Sequence, residues 1–459
     1  MDATPSTLSR ADVDDSRLPP GPRLPSLVQV AQFIHDRLGV LERCAERYGE
    51  FFTLRFPWET IVFTWNPESI KQVFSGDPAI YFAGQGNNIL RPFLGDASVL
   101  LLDGAEHLRQ RRLLLPPFHG ERMLAYADVI RDITLAEIER WPRGQAFAVH
   151  PSMQEITLEV IMRAVFGMES GARHDALRGR LKQILDEGSR SILVFLPFLQ
   201  FDLGGLTPYA RFKRQLAEVD RLLFDEIAER RANGNGAGRS DILSMMLQVV
   251  DEDGTPMTLQ ELRDELLTLL VAGHETSATS LAWVFYYLLK DPAVLERARE
   301  ELRRVVGEAA PSAAHIADLR YLDAVIKETA RLRPIIVFVA RALQQPVELG
   351  GHRLPAGITV APCIYLTQRR ADLYPEPERF RPERFLDAKQ PPHEYFPFGG
   401  GVRRCLGMAF AQYEMKVVLA TVLSRRTLAL PPDSDVRPVR RAITIAPSDG
   451  TRVVACIDA

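Results

Sequence analysis

The chain is short of cysteine, of net charge and of long apolar runs. Its 459 residues hold four cysteines, Cys44, Cys363, Cys405 and Cys456, all far apart. No C-x-x-C pair occurs, which argues against a structural zinc site or a redox dithiol. That usage fits a reduced, cytoplasmic location. No apolar run approaches the 20 or so residues that cross a bilayer, so neither membrane anchor nor signal peptide is expected. Residues 1–24 read instead as a flexible, polar, proline-rich arm. A net charge of −3 offers no bulk attraction for nucleic acid. No repeat and no long linker interrupts the rest, so 25–459 is expected to form one large domain, as a monomer.

What is present is ordinary globular composition, 46% hydrophobic and 25% charged. One stretch stands out, F-G-G-G-V-R-R-C-L-G at 398–407. Gly399, Gly400 and Gly401 allow positive φ and close approach of backbone to a flat ligand. Cys405 then opens an apolar run, 406–423, that reads as a helix. Its dipole and free N–H groups favour a thiolate there. With Gly407 clearing space two residues on, Cys405 suits an axial metal ligand. The bland alternative is an inert cysteine buried in a loop.

Helix is expected over 26–47, strands over 51–56 and 60–64, and loop over 81–96. Within that loop Phe82, Ile89 and Leu90 suit either core or a ligand pocket. His107 and Arg111, four apart, share one face of a helix that opens at Asp103; alone they would read as a solvated basic face. Helical patterns fill 121–230. The apolar segment 192–201, with Leu193 and Phe195, is too short and proline-broken to span a bilayer, and reads as core helix or as a mobile lid. Thr258-Leu-Gln-Glu261 is a capping box, and Asp291-Pro292 closes the helix it opens, roughly 50 Å of it. Its middle, A-G-H-E-T-S-A-T-S at 272–280, is poor helix chemistry. There Ala272 and Gly273 would admit a cofactor, while Glu275 and Thr276 would supply an acid and an alcohol able to relay protons. A helix kink is the alternative. Glu328 and Arg331 lie three apart on a further helix, a weak pair if exposed. An apolar strand, 334–341, carries Ile335, Ile336, Val337 and Phe338 to Arg341. A hairpin over 441–450 carries Ile445.

The decamer at 398–407 matches F-x-x-G-x-R-x-C-x-G at every fixed position. A-G-x-[DE]-T at 272–276, E-x-x-R at 328–331 and P-E-R-F at 382–385 precede it in order. In these elements the chain resembles the cytochrome P450 superfamily, in its soluble bacterial form. That resemblance implies a mainly α fold with small β-sheets and a long central helix over haem b. Cys405 would be the iron ligand. His107, Arg111, Arg341 and Arg403 would hold the propionates, with Ala272, Gly273, Phe398 and Gly407 around the ring. Glu275 and Thr276 would deliver protons for O2 activation. Glu328, Arg331 and Arg384 would form a buried triad bracing the loop. The implied reaction is hydroxylation or epoxidation of an apolar substrate, a fatty acid, terpenoid, steroid or polyketide-like molecule, meeting Phe82, Ile89, Leu90, Leu193, Phe195, Ile335, Ile336, Val337, Phe338 and Ile445. Arg91 would be the cation for a fatty-acid carboxylate. Electrons would come from a ferredoxin or flavodoxin with its reductase, docking on Arg109, Arg112, Arg404 and Lys416. A peroxide-driven oxidase or isomerase on the same fold, or a haem sensor without turnover, are the competing readings.

Overall fold

Thr258 opens the longest element. Its hydroxyl accepts the Glu261 N–H at 3.1 Å, and the Glu261 carboxylate accepts the Thr258 N–H at 2.7 Å. Two of the donors a helix start leaves unpaired are thereby satisfied. The helix runs Leu259–Lys290, 32 residues and about 48 Å. It stops at Asp291, whose carboxylate caps the next helix, Pro292–Val305. The hydroxyls at its centre do not break it. Thr276 Oγ1 donates to the Ala272 carbonyl at 2.5 Å and Ser280 Oγ to the Thr276 carbonyl at 2.8 Å, each one turn back.

The computed structural model describes residues 18–118, 120–190, 207–234, 238–387, 389–441 and 443–456. Segment 192–201, with Leu193 and Phe195, lies outside them, as do the first 17 residues of the arm. The fold is mainly helical with small sheets. The chain falls into two compact units. The first takes the chain up to Asn87 with Val337–Pro377 and Gln390–Arg404; the second takes Asn88–Ile336, Glu378–Lys389 and everything from Cys405 on. Each is completed by segments distant in sequence, so no linker marks the division.

The first unit is built on a five-stranded sheet. Phe51–Arg55 and Thr60–Thr64 form a hairpin, Thr359–Pro362 adds parallel to the second strand, and Arg341–Leu343 and Tyr81–Phe82 follow antiparallel. The strand expected over 334–341 is therefore limited to its last residue and the two beyond. The expected helix over 26–47 is two helices, Ser26–His35 and Arg37–Tyr48, because the Asp36 carboxylate turns to cap the second, accepting from Gly39 N at 3.0 Å. The end of the arm is docked. Thr53 N donates to the Pro20 carbonyl at 2.9 Å and Thr53 Oγ1 to the Pro19 carbonyl at 2.7 Å.

In the second unit the central helix packs along Val149–Ala164. Leu266, Leu270, Leu281 and Phe285 join Met153, Val160 and Ile161 in one apolar core. The helix Met408–Arg425 packs on Tyr126–Ile138. The expected hairpin sits early: Pro438–Arg441 pairs with Thr444–Pro447, and Arg452–Ala455 leaves to join Ala146–Ala148 and Leu428–Ala429. Among the described residues no helix is long and apolar enough to cross a membrane.

Candidate active site

Cys405 precedes the helix Met408–Arg425 by three residues and is exposed. Cys44 and Cys363 are buried, and burial pushes their thiols up to about 11 and about 12. The helix Gly104–Leu114 brings Arg111 within electrostatic reach of Cys405. Burial holds the half-buried Arg111 guanidinium below the usual arginine range, and the Cys405 charge opposes that shift. Among the described residues no carboxylate pairs with Arg111. His107, one turn earlier, is buried. Beside the cysteine the protein leaves room, since a Cβ on Gly407 would meet nothing within 4 Å. On the central helix, whose flanks are buried, Ala272 is exposed and Thr276 partly so. An accessible cysteine sulfur, an arginine with no carboxylate partner among the described residues and uncovered small residues fit a flat, anionic, thiolate-ligated group such as haem.

Gly273 has another purpose. A Cβ there would lie 3.3 Å from Ile161 Cδ1, so the missing side chain admits the neighbouring helix. The glycine run of the first unit is also a packing device. At Gly400 a Cβ would stand 2.2 Å from the Phe74 ring, and at Gly401, with φ of +65°, 2.3 Å from the Phe74 carbonyl. Those glycines let the loop close on Phe74. Arg341 is buried and bonds the loop, Nη1 to the Ala340 carbonyl at 2.8 Å and Nη2 to the Gly400 carbonyl at 3.4 Å. Phe398 and Arg403 are half-buried.

Glu275 and Thr276 are neighbours in sequence but face different ways. The Thr276 hydroxyl bonds its own helix. Glu275 turns into a polar cluster: Gln154 Nε2 donates to Oε2 at 2.7 Å, Thr279 Oγ1 donates to Oε1 at 3.2 Å, and Arg441 Nε lies 3.2 Å from Oε1. His150 Nε2 stands 3.6 Å from the same oxygen. None of these four partners was marked by a motif, and three lie 121 or more positions away. Only the i, i+4 spacing of Glu275 and Thr279 was visible in the sequence.

Glu328, Arg331 and Arg384 meet in one buried cluster. Glu328 accepts from Arg331 Nε at 2.7 Å, Arg331 Nη2 at 2.9 Å, Arg384 Nε at 3.2 Å and Arg381 N at 2.9 Å.

The expected pocket residues do not share one setting. Val337 and Ile445 are buried; Ile445 N donates to the Ile335 carbonyl at 3.2 Å and its own carbonyl accepts Trp283 Nε1 at 2.9 Å. Phe338 packs edge-on to Phe63, with centroids 5.1 Å apart. Ile335, Ile336 and Phe82 are half-buried, Leu90 lies against the core, and Ile89 is exposed. Arg91 is engaged at the surface by Asp96 and Asn88. Three of the four docking cations are engaged too. Arg109 pairs with Asp251 and Glu261, both at 2.7 Å, Arg112 pairs with Glu252, and Lys416 is mostly buried, 3.9 Å from Asp323. Arg404 is exposed and has no ion pair among the described residues.

Comparison with known proteins agrees with this geometry. The family model for cytochrome P450 matches residues 18–451. A protein named as cytochrome P450 135B1 of Mycobacterium tuberculosis (strain ATCC 25618 / H37Rv) is 43% identical over 95% of this chain and 91% of its own. One named as cytochrome P450 138 of Mycobacterium bovis (strain ATCC BAA-935 / AF2122/97) is 40% identical over 95% and 96%. Among solved structures, retinoic acid bound cyanobacterial CYP120A1 superposes with a TM-score of 0.83 at 26% identity, covering 95% of this chain and 99% of that one. The cytochrome P450DA heme domain, 24% identical, shares the fold with a TM-score of 0.83 over 96% and 97%. Matched along nearly its whole length by family model, relatives and structures alike, the chain belongs to the cytochrome P450 family and is a haem-thiolate monooxygenase using haem b and O2.

Proposed function

We propose that this monooxygenase oxidises an apolar, isoprenoid- or lipid-like small molecule, with electrons from a separate ferredoxin or flavodoxin and its reductase. In this reading Cys405 ligates the iron, and His107, Arg111, Arg341 and Arg403 hold the propionates. Glu275 and Thr276 move protons. The observation that carries the site assignment is the half-buried Arg111, answered by Cys405 and by no carboxylate. A desolvated guanidinium without a carboxylate partner is costly, and a propionate would relieve it.

Bound haem supplies the reductive activation of O2, with the thiolate donating electron density from one face. The protein's own part is to hold the substrate dry and to meter protons. Thr276 Oγ1 is bonded to the Ala272 carbonyl, so it passes a proton only after releasing that bond. In a Thr276→Ala variant, product formed per NAD(P)H should fall by about tenfold or more. Unchanged coupling would remove Thr276 from the relay. The complete Glu275–Thr276 pair weighs against a peroxide-driven oxidase or isomerase; comparing turnover on H2O2 alone with turnover on NAD(P)H and redox proteins separates the readings.

With Arg91 engaged elsewhere, no described cation of the expected pocket waits for a carboxylate, which favours neutral terpenoid, steroid or polyketide-like substrates over fatty acids. Retinoic acid in CYP120A1 is isoprenoid but carries a carboxylate, so it supports an isoprenoid skeleton and not a neutral head group. Titrating such a library and following the low-to-high spin shift tests it; a shift confined to charged metabolites would overturn it. On the redox side, Arg404→Ala should raise the apparent KM for ferredoxin several-fold, and Arg112→Ala much less, because Glu252 already neutralises Arg112. Equal effects would refute that ranking.

A further inference from the structure

The cluster around Glu275 has a direction. Arg441 Nη1 lies 3.3 Å from His150 Nδ1. A guanidinium can only donate, so Nδ1 accepts and the ring proton sits on Nε2. Nε2 is 3.1 Å from Thr279 Oγ1, which accepts it and in turn donates its own proton to Glu275 Oε1 at 3.2 Å. His150 and Thr279 are buried, at 2% and 0% exposure, whereas the Arg441 side chain is one third exposed. The line thus runs from the edge of solvent to the carboxylate. Gln154 holds the other oxygen, Oε2, and accepts Arg441 Nη2 at 3.5 Å. His274, also buried, is taken by Thr157, 2.9 Å from its Nδ1, and stays outside the line.

We propose that His150 and Thr279 are the proton supply line of Glu275, and that Arg441 is the positioning residue that sets its direction. The proposal rests on the reading of Glu275 as the proton donor of the site. When Arg441 Nη1 moves off, a proton from water binds His150 Nδ1 as the Nε2 proton leaves to Thr279 Oγ1. The Thr279 proton passes to Glu275 Oε1, and the carboxylate becomes a carboxylic acid. One proton has moved from water to Glu275, Thr279 is restored, and His150 is left as the Nδ1–H tautomer until it exchanges with water. Burial, reinforced by Arg441 and His274, pushes the His150 imidazolium down to about 3, so the ring does not dwell as a cation and the transfers run together.

Two measurements test this. Histidine 15N NMR of the reduced, CO-bound holoenzyme should show His150 as the neutral Nε2–H tautomer at pH 7, a preference that relaxes in Arg441→Met. An Nδ1–H tautomer or an imidazolium in the wild type overturns the proposal. Next, NADPH consumption is followed with a surrogate ferredoxin and its reductase in H2O and in D2O. Thr279→Val should slow it about tenfold with a larger solvent isotope effect, and Thr279→Ser should recover most of the rate. A normal rate in Thr279→Val beside a slow Glu275→Gln overturns the supply line and leaves Glu275 its role. Normal rates in both overturn the supply line and the role of Glu275 together. If Thr279→Val fails to load haem, His150→Gln, which keeps a donor and an acceptor but does not exchange protons readily, gives the same readout.

Discussion

Replacing Cys405 by alanine should abolish the red-shifted Soret band of the reduced CO-difference spectrum, and all monooxygenase turnover with it. The band reports a thiolate on the iron, and neither buried cysteine can supply one in its place. Cys44 and Cys363 are buried, with thiols pushed up to about 11 and about 12, so a thiolate at either position is suppressed by desolvation. Cys405 is exposed, lies just before a helix and has Arg111 within electrostatic reach. Each of these three conditions favours the anion. A Cys405→Ala variant that kept the band would remove the ligand assignment altogether. Haem bound without the band would show that the remaining contacts hold the ring while the cysteine alone defines the chemistry.

The second large effect is expected at Glu328. Its carboxylate accepts from Arg331 twice, from Arg384 and from the Arg381 N–H, and both Glu328 and Arg331 have no exposed side-chain surface. Glu328→Gln removes the carboxylate that the two arginines of that cluster share. Breaking a buried pair in this way costs about 3–5 kcal/mol, where the same two residues on a surface helix would be worth a few tenths. The denaturant midpoint followed by circular dichroism should fall accordingly. Glu68→Gln, which removes the exposed partner of Lys71 at 3.6 Å, should move stability by less than about 0.5 kcal/mol. Equal shifts for the two variants would show that burial does not set the energy of the Glu328 cluster.

Those two sites differ in how far the sequence led to them. Around Cys405 the motif spacing is local, and a glycine turn followed by a helix start leaves the cysteine few places to go. At Glu328 the spacing showed the i, i+3 partner Arg331, but its burial was expected only through the family resemblance. Arg384 joins across 56 positions. Similarly, the positive φ of Gly401 was legible, but the body packed against Gly400 and Gly401, Phe74, lies more than 320 residues earlier.

Local rules acting within about one turn were enough for the capping box at Thr258, the strand Thr60–Thr64, the helix from Gly104 and the order of the family motifs. A hydroxyl one turn from its acceptor, or a carboxylate three residues from an N–H, finds its partner wherever the chain goes. Charges and polar groups farther apart are paired by chain closure and desolvation. Arg109, Arg112 and Lys416 looked like a docking face until Asp251, Glu261, Glu252 and Asp323 were brought to them. Glu275 looked like half of an acid–alcohol pair, and only the packing of Val149–Ala164 and the hairpin at Arg441 against the central helix turned it away from Thr276. The sequence alone therefore determined the family, the order of its motifs and the long helix. Tertiary structure decided which charges are taken and where Glu275 points, because those depend on what each group is buried against.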